Sequence, residues 1–163
     1  MSEPWVTALA GDIRQKNHEA AEEYGRAQHY AGIVAERGGE FFLRLTDCLQ
    51  EGMDALRREL QGDVTAADMM LERVRVDEVR ILRARFPWVD ARLKHSGDSL
   101  MLDYSKGAGT AGDPLQDHVT RSYTLLADEH GWLRAEETFS DSPQSYASPE
   151  ELARALMEIL FRV

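Results

Sequence analysis

Ser99 stands in the tetrad Gly97-Asp98-Ser99-Leu100. A serine on a sharp turn can attack an ester when a histidine takes its proton. Five histidines could serve as that base, namely His18, His29, His95, His118 and His130. Acyl transfer also needs a carboxylate to hold the histidine and donors aimed at the oxyanion. The one thiol, Cys48, sits among Phe41, Phe42, Leu45 and Leu49 and reads as a buried small hydrophobe. A single cysteine also excludes an intramolecular disulfide and a cysteine-rich zinc site. His18 lies beside Glu19, Glu22 and Glu23, but a helical di-metal site uses Glu-x-x-His pairs, and that spacing occurs nowhere in the chain. The cluster reads as a solvated helix face. "KGAGTAGD", from Lys106 to Asp113, lacks the Gly-Lys-Ser/Thr ending of a phosphate loop and reads as a flexible connection.

The tetrad resembles the signature of the GDSL hydrolases. In that family the serine follows a buried parallel strand near the start of the domain. A later glycine and asparagine complete the oxyanion hole, and the base is a C-terminal histidine three residues after an aspartate. The resemblance here is confined to the tetrad. The sole asparagine, Asn17, lies upstream; Leu115 and Ala127 stand where the aspartates before His118 and His130 would be; Lys94, His95 and Ser96 precede the turn. A hairpin accounts for more residues. With Gly97-Asp98 central in a two-residue type II′ turn, Ser96 faces Ser99, His95 faces Leu100, Leu93 faces Leu102, Ala91 faces Tyr104, and Arg92 meets Asp103. Each well-matched pair contributes ~0.2–1 kcal/mol. Ser99 is therefore read as a turn residue, and no catalytic, cofactor-binding or metal-binding residue is assigned.

The elements that position these residues follow from periodicity. Up to Gln61 the chain reads as helix, with Asp12 as candidate N-cap. Ile13, Ala20, Ala27, Val34 and Phe41 recur at heptad spacing, with Tyr24, Ala31 and Leu45 four residues after members of that series. This seam of Ile13, Ala20, Tyr24, Ala27, Val34, Phe41 and Leu45 is a candidate dimer interface. Gly25, Gly32 and Gly39 share another heptad stripe. Gly38-Gly39 is expected to kink or break the helix, because the apolar phase then changes to Phe42, Leu45, Leu49, Met53, Leu56 and Leu60. Gly62 is the expected stop.

Downstream, the spacing of Ala67, Met70, Leu71 and Val74 predicts a short helix over 66–72, then a strand ending before Pro87 with a bulge or turn at Asp77-Glu78. Three strands flank the Gly97-Asp98 turn and the glycine-rich 106–117 loop. A further hairpin around Glu129-His130-Gly131 sets Leu125 opposite Ala135 and Ala127 opposite Leu133. Ser148, Pro149 and Glu151 open a C-terminal helix whose apolar face is Leu152, Leu156, Ile159 and Leu160.

The expected fold is α+β: a long N-terminal helix, an antiparallel meander of four or five strands, and a C-terminal helix packed on the sheet. It forms one domain over 1–163, with a helical region, 1–62, for dimerisation and a sheet-plus-helix region, 63–163.

At 163 residues and 43% hydrophobic content the chain can bury a full core. Its net charge of −10 disfavours nucleic acid and anionic membranes, and no run of ~20 apolar residues exists to span a bilayer. The acidic, proline-containing start does not read as a signal peptide, so a cytoplasmic location is expected. One local stretch is basic: Arg73, Arg75, Arg80, Arg83, Arg85, Arg92 and Lys94 outnumber Asp77, Glu78 and Asp90. Arg80, Arg83, Arg85, Trp88 and Arg92 form a candidate surface for an acidic partner, unless those arginines pair with helix acids such as Glu40, Glu51 or Glu59.

The leading expectation is a non-enzymatic, homodimeric interaction module without a cofactor. A narrower form is chaperone-like: in size and charge the chain is similar to small acidic α+β dimers that carry secretion effectors, although its long helix comes first. The alternative is a ligand-binding or catalytic domain with a pocket between sheet and C-terminal helix, lined by His95, Tyr104, Tyr123 and Trp132.

Overall fold

A computed structural model describes residues 3–62, 68–84, 88–107 and 118–162. Helix α1 (Pro4–Glu59) is unbroken over 56 residues, a rod of ~84 Å at 1.5 Å per residue. Proline at the first helical position sets its start. Asp12 therefore lies inside the helix and does not cap it. The expected break at Gly38-Gly39 does not occur either. Gly38 is buried where α1 crosses the sheet, and a Cβ there would lie 3.1 Å from His95 Nε2 and 3.3 Å from the Gly97 carbonyl oxygen. Gly38 thus serves close approach, and packing offsets its poor helix propensity. Past the helix end, Gly62 has φ +95°, the left-handed value that stops a helix.

Among the described residues seven strands follow, not four or five: β1 (Met69–Arg75), β2 (Glu78–Arg83), β3 (Trp88–Ser96), β4 (Ser99–Gly107), β5 (His118–Ala127), β6 (Leu133–Glu137) and β7 (Ser145–Tyr146). They form one antiparallel sheet in sequence order. Part of the added count comes from the stretch expected to be helical. Met69–Glu72 belongs to β1, which turns at Val76-Asp77 and pairs Met69 with Arg83 and Leu71 with Ile81. Edge pairing lets Met69 and Leu71 join the core, which outweighs a helical spacing over few residues. Residues 63–67 and most of the glycine-rich loop, 108–117, lie outside the described residues.

Both expected hairpins have the expected register. Ser96 pairs with Ser99, Leu93 with Leu102, Ala91 with Tyr104 and Arg92 with Asp103. Leu125 pairs with Ala135 and Ala127 with Leu133. Gly97 at φ +60° and Gly131 at φ +78° supply the left-handed residues these turns require.

Helix α2 (Pro149–Phe161) begins with Ser148 accepting from the Glu151 amide at 3.2 Å. It lies beside α1 and runs in the same direction, with Arg44 against Glu150 and Gly52 against Met157. Both helices cover one sheet face, called inner below. Phe42, Leu45, Leu49 and Met53 of α1 and Leu152, Leu156 and Leu160 of α2 meet Val79, Ile81, Leu93, Leu100, Leu102 and Leu125 in one buried core. Each such aliphatic or aromatic side chain stabilises the fold by ~1.5–3 kcal/mol on burial. The opposite, outer face carries charged and hydroxylated residues, among them Arg80, Asp90, Arg92, Asp103 and Thr120, interspersed with Met70, Leu82 and Met101. No described helix is long and apolar enough to cross a membrane.

Candidate functional site

Ser99 closes the β3–β4 turn and stands on the outer face. His95 lies on the inner face, where its ring stacks on Phe42 at 5.6 Å and its Nε2 is 2.9 Å from the Gly97 carbonyl oxygen. The serine and its nearest histidine in sequence therefore project to opposite sides of the sheet. Register assembles another serine, histidine and aspartate instead. Ser105 Oγ is 3.4 Å from His118 Nδ1, and His118 Nε2 is 3.5 Å from Asp103 Oδ1. Thr120 donates to the same Asp103 oxygen at 2.6 Å. The connectivity is that of a triad, but the contacts are long and the His118 side chain is 64% exposed. It stands on an open sheet face, and the two grooves described below have other linings. A water-excluding wall and aimed oxyanion donors are what such a site needs. The set reads as a cross-strand surface network. Only the register reveals it, because His118 is thirteen residues from Ser105 in sequence.

Cys48 is half-buried, and burial pushes its thiol above the ordinary range against the pull of Arg44. A raised thiol is a poor nucleophile at neutral pH. His18 and Glu22 form an exposed i,i+4 pair at 3.2 Å. The four residues expected to line one pocket are dispersed. Tyr104 and Tyr123 are buried on the inner face, His95 packs on Phe42, and Trp132 is 71% exposed on the β5–β6 loop. Tyr123 Oη is buried with no hydrogen-bond partner among the described residues, and desolvation, with a further push from Tyr146, drives its ionisation far above the usual tyrosine range.

The basic stretch divides between faces. Arg80 makes a two-pronged contact with Asp90, at 3.2 and 3.0 Å. Arg73 donates to Thr46 and Asp47 of α1 at 2.7 and 2.6 Å, and Lys94 lies 3.6 Å from Glu78. These acids are not the Glu40, Glu51 and Glu59 suggested by sequence, because the crossing of α1 presents Asp47 to β1. Strand alternation puts Arg80, Trp88 and Arg92 on the outer face, while Arg83 is buried on the inner one. Arg85 lies outside the described residues.

Among the described residues, α1 carries a run of exposed apolar side chains. The seam splits at the sheet. Val34, Phe41 and Leu45 are buried against the chain's own core, whereas Ile13, Ala20, Tyr24, Ala27 and Ala31 are exposed. From Pro4 to Gln28 the helix projects as an arm of ~37 Å, and all but one of these residues are exposed. Its tip carries Trp5, Val6, Leu9 and Ile13 at exposures of 65, 39, 50 and 50%. A helix begun at Asp12 leaves three of these out; the signals for them are Pro4 as a first-turn residue and apolar side chains at positions 5, 9 and 13. Arg14 and Lys16 precede Glu19, Glu22 and Glu23, so charge changes sign along the arm. Gly11, Gly25 and Gly32 have nothing within 4 Å of a Cβ position.

At the base of the arm is a groove of about 530 Å³, walled by Ala27, Tyr30, Ala31 and Val34 on one side and by Leu125, Leu126 and Arg134 on the other. A second groove, about 660 Å³, lies between α1, Trp132 and the start of α2, with Arg37 donating to the Gly131 carbonyl at 2.8 Å. No protein-family model, curated protein or solved structure matches this chain.

Proposed function

We propose that this chain is a non-enzymatic, cytoplasmic protein-interaction module that works as a homodimer joined through the α1 arm. The observation that carries the reading is the arm itself. Helices without tertiary support are marginal in water even in alanine-rich sequences. Each unpacked glycine costs ~1 kcal/mol relative to alanine, and among the described residues nothing lies within 4 Å of a Cβ at Gly11 and Gly25 of this arm or at Gly32 at its base. It nevertheless repeats an apolar stripe that, further along the same helix, is buried. A stripe that continues past its own sheet calls for another surface to cover it.

In this reading the arm holds two copies together, and the outer sheet face, with Trp88, Arg80 and Arg92, remains open for a further protein, as a carrier of client chains requires. Light scattering after size exclusion tests the first part. The expected mass is twice the 18.4 kDa of one chain. A monomer persisting at ~100 μM would overturn it.

A further inference from the structure

We infer that the two arms pair antiparallel, about a two-fold axis between His18 and Glu19, and that the tip of each arm seats in the groove at the base of the other. This rests on the homodimer reading above and adds its geometry.

The first support is steric. Beyond Val34 the seam residues Phe41 and Leu45, and Gly38 beside them, are buried against the chain's own sheet. In a parallel pair both sheets would occupy the shared seam at the same end and exclude each other. An antiparallel pair puts them at opposite ends. The second support is length. The stretch with no buried residue runs from the helix start at Pro4 to Ile33, and Val34 is the first buried residue. A two-fold between His18 and Glu19 lays Pro4 of one copy beside the partner's Ile33, so the arms cover each other and stop where the sheets begin.

The third support is chemical. In this register the seam layers are Val6 with the partner's Ala31, Ala10 with the partner's Ala27, Ile13 with the partner's Tyr24, and Asn17 with the partner's Ala20. Val6 meets a small residue, Ile13 packs on a tyrosine ring, Ala10 and Ala27 let the backbones approach, and one polar residue per chain marks the centre, a device that fixes register in coiled coils. On the flank, Lys16 meets the partner's Glu23 and Leu9 meets the partner's Tyr30. Tyr30 lines the groove, so Val6 and Leu9 arrive at an apolar wall. A parallel pairing would set Lys16 against the partner's Ala21 and forfeit both ion pairs.

Spin-label distances on the full chain test the geometry, with Cys48→Ser to remove the native thiol and Ala8→Cys to place the label on the side of the arm away from the seam. In the antiparallel register the labels are offset by ~21 residues, ~31 Å along the axis at 1.5 Å per residue, and face outward on opposite sides, so their separation is expected at ~35–40 Å; a parallel pair has no axial offset and expects ~20–25 Å, set by the 8–10 Å interaxial distance plus an outward side-chain radius on each helix. A dimer with the short distance overturns the register while leaving the homodimer standing, and a monomer overturns both. Charge exchange gives a second readout. Lys16→Glu is expected to weaken the dimer ~10-fold in Kd, and adding Glu23→Lys to restore it. A double variant no tighter than the single one overturns the pairing.

Discussion

Adjacent glycines in α1 should respond in opposite ways to the same substitution. Gly38 and Gly39 are both helical, so replacing either by alanine contributes about 1 kcal/mol through helix propensity. At Gly39 nothing lies within 4 Å of the new Cβ, and that gain should appear in full. For a chain of this size it raises Tm by ~2–4 °C. At Gly38 the Cβ would meet His95 Nε2 at 3.1 Å, the Gly97 carbonyl oxygen at 3.3 Å and His95 Cε1 at 3.4 Å. Neither neighbour yields cheaply. The His95 ring is held between its stack on Phe42 and its 2.9 Å contact with Gly97 O, and that oxygen belongs to a turn with φ +60°. Overpacking of this kind costs ~1–3 kcal/mol, which cancels or exceeds the propensity gain. Gly38→Ala should therefore be neutral to ~2 kcal/mol destabilised, and Gly39→Ala stabilised, in urea titrations and thermal scans of the two variants side by side. An equal rise in both would refute the docking of α1 on the β3–β4 turn. An equal fall in both would refute the continuous helix.

Two further perturbations probe the sheet. Gly97→Val forces a β-branched residue to φ +60° and should cost ~1–3 kcal/mol, read as a lower urea midpoint, whereas Ser99→Ala should shift it by less than ~0.5 kcal/mol and abolish no esterase activity. Tyr123 keeps its proton in the folded state far above the unfolded value near 10. Its contribution is therefore complete below pH ~10 and is lost as pH rises from there toward the folded value, at up to ~1.4 kcal/mol per pH unit. Tyr123→Phe should flatten that alkaline limb and, by removing a buried hydroxyl with no partner among the described residues, leave neutral-pH stability unchanged or higher. A limb unchanged in the variant would place the alkaline loss on other groups.

Local signals sufficed wherever one short segment decided its own geometry. The β3–β4 and β5–β6 registers follow from turn residues and alternation, because a one-residue slip would turn every apolar side chain to the outer face. The cap of α2 follows from Ser148, Pro149 and Glu151 for the same reason. The α1 seam was legible as an apolar heptad, but not its division at Val34, since the sequence does not say how far along the rod the sheet reaches. Only tertiary structure decided whether Gly38 bends a helix or admits a neighbour, because the answer lies in His95 and Gly97, far away in sequence. It likewise decided that 69–72 is strand, since β2 offers pairing that a helical spacing cannot anticipate. The arm is where the two levels meet: periodicity wrote the stripe, and the end of the sheet left half of it uncovered.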